Sequence, residues 1–198
     1  MKMLIYCVKG KPYLFENVEC LKDICGKYYT YNHNEGLEDK TLNGKIVAES
    51  DFEVEKIKKL NYDCSIITDT LYTDELMNKS CLSYDELEEY LKPNWDKEDN
   101  LKNLDVIGYA IHIKNLHIFD EPRELGYYYT RNDDKLKSAP QNMCYCSEWS
   151  FNVEKIKENN GCMIKDYILI SIRPQWLCKI LNGEKTVEIR KKVLKEML

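Results

Sequence analysis

The chain has 198 residues, 43% hydrophobic and 32% charged, enough for one domain with a proper core or two small ones, and one domain is expected. A formal charge of -5 excludes a surface coated uniformly in basic residues for duplex DNA. No window approaches the roughly 18 to 20 apolar residues of a membrane span, so no membrane partner is expected.

The nine cysteines are odd in number and irregular in spacing, which argues for reduced, mostly buried thiols rather than a disulfide framework. With an N-terminal apolar run too short for a secretory signal, the expected compartment is cytoplasmic. Tyr, at 15, far exceeds Phe, at 4, so a core rich in Tyr and Ile is anticipated. Charge is unevenly placed: Tyr167 to Leu198 carries +4 and the first twelve residues +3, leaving -12 for the region between.

In chain order, "MLIYCV" (Met3 to Val8) predicts a strand and "KGKP" a turn. "CLKDICGKYYTYNHNEGLEDKT" (Cys20 to Thr41) ends in a polar loop that Asn43 and Gly44 close. "KIVAESDFEVEKI" (Lys45 to Ile57) predicts a half-buried strand, with Phe52, Val54 and Lys56 opposite Glu53, Glu55 and Ile57. Residues 62 to 92 predict two short helices, the second opened by an S-x-x-E capping box at Ser83 and Glu86. Lys92 to Asn103 is a polar, Pro-bearing loop. "IGYAIHIKNLHIFD" (Ile107 to Asp120) predicts a strand, bent into a second arm at "KNL".

"EPREL" predicts a helical turn, Gly126 to Ser138 a loop and "APQNMCYC" (Ala139 to Cys146) a strand. The polar segment Ser147 to Asp166, with its "NNG", predicts a linker. A strand (Tyr167 to Ile172), a Pro-initiated helix (Pro174 to Asn182) and a strand (Thr186 to Arg190) close the chain. Short strands with a few helices imply an α+β fold, a small barrel decorated with helices.

"LISIRPQWLCKILNGEKTVEIRK" (Leu169 to Lys191) resembles the ASCH family, a branch of the PUA-like barrels, whose first strand and helix lead into a G-x-K-x-x-E-x-R motif. Gly183, Lys185, Glu188 and Arg190 fill its four positions. "LIYCVKGKPYL", "NGKIVAESDFEVEKI", "SCLSYDELEEYL", "GYAIHIKNLHIFDEPREL" and "APQNMCYC" resemble successive later segments of ASCH proteins often found in phages and prophages. Their order is rotated, since the family begins with the unit that here comes last. The resemblance therefore implies a circularly permuted PUA-like barrel: 1–146 as its main part, 147–166 as a linker, and 167–198 as the strand-helix-strand unit that completes it. The rival arrangement is a homodimer that exchanges 167–198 between copies.

Strand alternation places Thr186, Glu188 and Arg190 on one face, with Lys185 at its mouth. A carboxylate between two cations stays ionised and can act as a base or accept from an amino group, while the cations suit phosphate or a developing oxyanion. The plainer alternative is a solvated strand with surface ion pairs. The resemblance implies that a nucleotide or modified nucleoside enters a cleft beside the motif. One branch of the family consists of amidohydrolases using the motif Lys and a Thr three residues later. Here that third position holds Glu188, a departure from the amidohydrolase pattern.

Arg173 and Trp176 flank the start of the 174–182 helix, whose N-terminus favours phosphate and whose indole can stack on a base or simply pack in the core. Tyr6 and Lys9 are expected neighbours of the motif, and the amides of Gln141 and Asn142 can read a base edge. His112 and His117 read as structural residues. Cys144 and Cys146 have no second Cys pair at zinc spacing, so neither a metal nor another cofactor is expected. There is no phosphate-binding glycine loop, nucleophile elbow or dinucleotide fingerprint.

The favoured function is a module that binds RNA or a modified nucleotide in a basic cleft. One alternative is a small enzyme, a nucleoside amidohydrolase or ribonuclease, with Lys185 and Glu188 as the working pair. Another is a phage accessory protein whose acidic middle blocks a host protein.

Overall fold

A computed structural model describes residues 1–8, 42, 44–59, 66–95, 106–151 and 162–198. Its strands are β1 (Lys2–Cys7), β2 (Ile46–Lys59), β3 (Ile66–Ile67), β4 (Val106–Arg123), β5 (Tyr128–Tyr129), β6 (Met143–Phe151), β7 (Cys162–Ile172) and β8 (Val187–Arg190). The helices are α1 (Thr73–Ser80), α2 (Tyr84–Trp95) and α3 (Pro174–Leu181), and 3-10 turns follow β4 at Leu125–Tyr127 and β8 at Lys195–Met197. The α+β class expected from the sequence is what forms.

The strands make one sheet in the order β5-β6-β7-β1-β2-β4-β8, with β3 beside β2. Among the described residues the end strands β5 and β8 do not pair with each other, so the expected small barrel is not closed. β2 and β4 run 14 and 18 residues. Each contributes to both core clusters, β2 through Ile46 and Ile57 and β4 through Phe119 and Ile107, and the chain divides into two compact units. Unit 1 is Met1–Asp51 with Asn115–Asn182; unit 2 is Phe52–Lys114 with Gly183–Leu198.

In unit 1, β1 pairs parallel with β7 from Lys2↔Tyr167 to Cys7↔Ile172, and antiparallel with β2 from Met3↔Ser50 onward. Flanked on both sides, β1 buries every residue from Met3 to Cys7, the continuous apolar run expected of a central strand. Three buried tyrosines contribute to this core, Tyr6, Tyr128 and Tyr167, together with Leu4, Ile46, Phe119 and Leu169. Tyr128 and Tyr167 meet edge to face at 5.9 Å between ring centroids. Their hydroxyls are satisfied by charged partners: Arg123 donates to Tyr128 at 3.0 Å, and Tyr167 donates to Glu148 at 3.2 Å.

The 147–166 segment is not simply a linker. Ser147 to Phe151 of β6 pairs antiparallel with Cys162 to Asp166 of β7 in an unbroken register; residues 152–161 lie outside the described residues. From Glu148, "EWSF" alternates polar and apolar residues, but "CMIKD" is three apolar residues followed by two charged ones, so it is the cross-strand pairing that makes this segment strand. β6 itself starts at Met143, because Pro140 supplies no ladder donor.

In unit 2, α1 and α2 pack on the sheet around Ile57, Ile66, Leu76, Leu87, Leu91, Ile107, Ala110, Val187 and Ile189. The expected capping box is present: Ser83 Oγ and the Ser83 N–H both donate to Glu86 Oε2, at 2.9 and 2.8 Å, and the Glu86 N–H returns to Ser83 Oγ at 3.3 Å. Helix begins only at Thr73, since Ile66 and Ile67 are drawn into strand by Lys59 and Lys58 of β2. α2 runs four residues into the expected 92–103 loop, to Trp95. On β2 it is Ile57, fully buried, that enters the core, and Lys56 on the opposite face is exposed.

β4 is one continuous strand across "KNL", with Asn115 in the left-handed region at φ 48° where a bend into a second arm was expected. Asn tolerates that conformation better than most residues. Gly108 is required on β4 by close approach: a Cβ there would sit 2.6 Å from Leu91 Cδ2 and 3.2 Å from the Arg190 carbonyl oxygen.

Candidate functional site

Gly183, at φ +74°, follows α3 in the backbone region that glycine enters most readily, and the chain then passes into β8. This segment is held by the end of α1. The Thr186 N–H donates to the Lys79 carbonyl at 2.9 Å, the Cys81 thiol lies 3.5 Å from the Glu184 carbonyl oxygen, and Lys185 Nζ donates to the Ser80 carbonyl at 2.6 Å. Carbonyls in the last turn of a helix lack intrahelical partners, and the negative end of the helix dipole favours a cation there.

Lys185, Glu188 and Arg190 converge within unit 2. Glu188 Oε2 is 3.3 Å from Lys185 Nζ, and its Oε1 is 3.0 Å from an Arg190 terminal nitrogen. The three side chains are 2%, 10% and 13% exposed, so this is not the solvated strand of the plainer reading. Burial pushes the Lys185 amine below its usual value, opposed by the Glu188 carboxylate. Thr186, expected on the face of Glu188 and Arg190, precedes the strand and is exposed. The ladder sets Glu188 opposite Ile111 and Arg190 opposite Tyr109.

Unit 1 gathers a second group of the sequence candidates, at the carboxyl ends of the parallel strands β1 and β7. Tyr6 lies opposite Ser171 and is 5% exposed, with its phenol pushed up by burial. Ser171 donates its N–H to the Asn142 carbonyl at 2.9 Å and its hydroxyl to the Pro140 carbonyl at 2.6 Å, which places the Gln141–Asn142 segment beside the strand end. Arg173 then caps α3 with an exposed side chain. Trp176 is half-buried, with Lys179 Nζ 5.4 Å from its ring centroid. Lys9 lies outside the described residues.

One pair escaped sequence reading. Glu55 of β2 accepts from the Thr70 N–H at 2.5 Å and the Thr70 hydroxyl at 2.6 Å, and its other oxygen is 3.1 Å from His112 Nε2. His112 is therefore the partner of a carboxylate only 10% exposed. No spacing along the chain reveals this, because the two residues meet only through the strand register. Among the described residues no group of three or more His, Cys, Asp or Glu side chains is gathered as for a metal. Among the described residues no helix is long and apolar enough to cross a membrane.

Comparison with protein-family models, with curated proteins and with solved structures found no match to this chain.

Proposed function

We propose that the chain is a circularly permuted PUA-like module of the ASCH type that binds single-stranded RNA or a modified nucleotide through basic residues. The observation that carries this reading is the convergence of Lys185 and Arg190 on Glu188 inside unit 2. Burying three charges is expensive unless each is paired, and replacement of such groups by apolar residues is often neutral or stabilising. Stability alone is therefore a poor reason to place them there. A guanidinium oriented by a fixed carboxylate has the planar fork that suits phosphate. In unit 1, Arg173 and Trp176 at the start of α3 offer a cation and a stacking surface, the two elements that single-stranded RNA binding uses.

Native mass spectrometry tests the reading, on the protein as isolated and after incubation with modified nucleosides and short RNAs. One nucleotide- or RNA-sized adduct is expected, weakened in Trp176→Ala by the roughly 1 to 3 kcal/mol that one stacked base contributes. Wild-type protein that retains no adduct in any mixture overturns it. The same spectra report oligomeric state, so a dimer that persists on dilution would favour exchange of 167–198.

A second reading has one observation in its favour. A lysine amine lowered by burial, as Lys185 is, is closer to the range in which it works as a base. Conversion of a bound nucleoside or cleavage of RNA, lost in Glu188→Gln while binding remains, would establish the enzyme instead.

A further inference from the structure

We propose that Lys185 is a positioning residue that pins the carboxyl end of α1 and orients Glu188, and that Arg190 is the motif cation that meets the ligand. The assignment deepens the nucleotide-binding reading and rests on it for the role of Arg190. Three observations carry it. Exposure rises along the motif from 2% at Lys185 through 10% at Glu188 to 13% at Arg190, so the lysine is the member furthest from solvent. Lys185 donates to a backbone carbonyl of α1 at 2.6 Å, closer than its 3.3 Å approach to the Glu188 carboxylate. Flanking residues hold the same helix end, through the Thr186 N–H to the Lys79 carbonyl and through Cys81 to the Glu184 carbonyl.

Lys185 is thus engaged in closing α1. An ammonium has three donors; one serves Ser80 and another faces Glu188. Its charge holds one carboxylate oxygen, which leaves the other to Arg190. Removing the lysine frees Glu188 to shift, and Arg190 with it. A phosphate-contacting cation and a positioning cation then differ in a measurable way. Each phosphate contact to single-stranded RNA contributes about -0.7 to the slope of log affinity against log salt. Lys185→Met should weaken RNA binding without changing that slope, whereas Arg190→Gln should flatten it by about 0.7. A slope flattened equally by Lys185→Met overturns the assignment.

A second measurement does not depend on RNA. Brief acetylation of the wild-type protein with an amine-reactive ester, read by peptide mass spectrometry, should modify Lys185 at least about tenfold more slowly than exposed Lys137, because it must wait for local opening. Equal rates overturn the pinned lysine. If wild-type protein binds no RNA while Lys185 is protected, the nucleotide reading fails and the pin at α1 stands. Lys185→Arg, which keeps the charge, serves as the second variant if Lys185→Met does not fold.

Discussion

Lys185 Nζ lies 2.6 Å from the carbonyl oxygen of Ser80, a residue 105 positions earlier in the chain. That bond joins the end of α1 to the start of β8, and it makes the buried charges of unit 2 part of its architecture.

Removing only the lysine leaves Glu188 buried with one partner fewer. Lys185→Met is expected to destabilise the protein by about 3 to 5 kcal/mol, the usual penalty for breaking a buried pair from one side. Lys185→Met with Glu188→Gln should recover part of that loss, because no uncompensated carboxylate remains and the amide oxygen can still accept from Arg190. Urea midpoints of the two single variants and the double variant check this, and strict additivity would refute the coupling.

Glu55 makes acid stability measurable. Burial raises its carboxyl, but the hydrogen bonds from Thr70 and His112 outweigh that and hold it below its usual value. The unfolded chain therefore takes up a proton first as pH falls. The stabilisation is complete above the ordinary glutamate range and is lost as pH drops through the lower folded value. Glu55→Gln should cost about 1 to 3 kcal/mol at pH 7, and its difference from wild type should shrink as urea titrations move from pH 6 towards pH 3.

At the alkaline end, burial pushes the thiols of Cys7 and Cys146 from 9.0 to about 12, and the Tyr128 phenol from 10.0 to about 12. In the unfolded chain these groups lose their protons first. Stability should fall from about pH 9 upward, steeply between pH 10 and pH 12. Lys185 acts in the opposite sense just below its usual 10.5, since there the unfolded chain holds the extra proton. Cys146→Ala should lower stability at pH 7 and flatten the alkaline decline, which thermal melts at pH 8 and pH 11 would show.

Gly108→Ala would push a methyl group to 2.6 Å from Leu91 Cδ2. A loss of about 1 to 3 kcal/mol is expected from overpacking. Leu91→Ala in the same chain should relieve part of it, despite its own cavity cost. A double variant whose drop in melting temperature equals or exceeds the sum of the two single drops would contradict this account.

Sequence patterns located most elements because their signals are local. The Ser83–Glu86 cap, Pro174 at the start of α3 and Gly183 at its end each act within a few residues, and the structure places helix boundaries there. The charge pattern of Gly183, Lys185, Glu188 and Arg190 also marked the candidate site. Burial of that pattern was beyond sequence, because the same alternation describes a solvated strand equally well.

What tertiary structure alone decided depends on register and on length. The stretch in β2 reads as a half-buried strand and that in β4 as a strand bent at "KNL", yet their 14 and 18 residues each contribute to two core clusters. The 147–166 segment reads as a linker because its polar residues and "NNG" are local signals, whereas the pairing of Ser147–Phe151 with Cys162–Asp166 is not. Glu55 and His112 are 57 residues apart and share a contact only through pairing of distant strands. Local chemistry sets which residues form helices, turns and strands, since those preferences act over three or four residues. Partners across a sheet are set by burying the largest apolar surface at once, a condition on the whole chain that no short stretch contains.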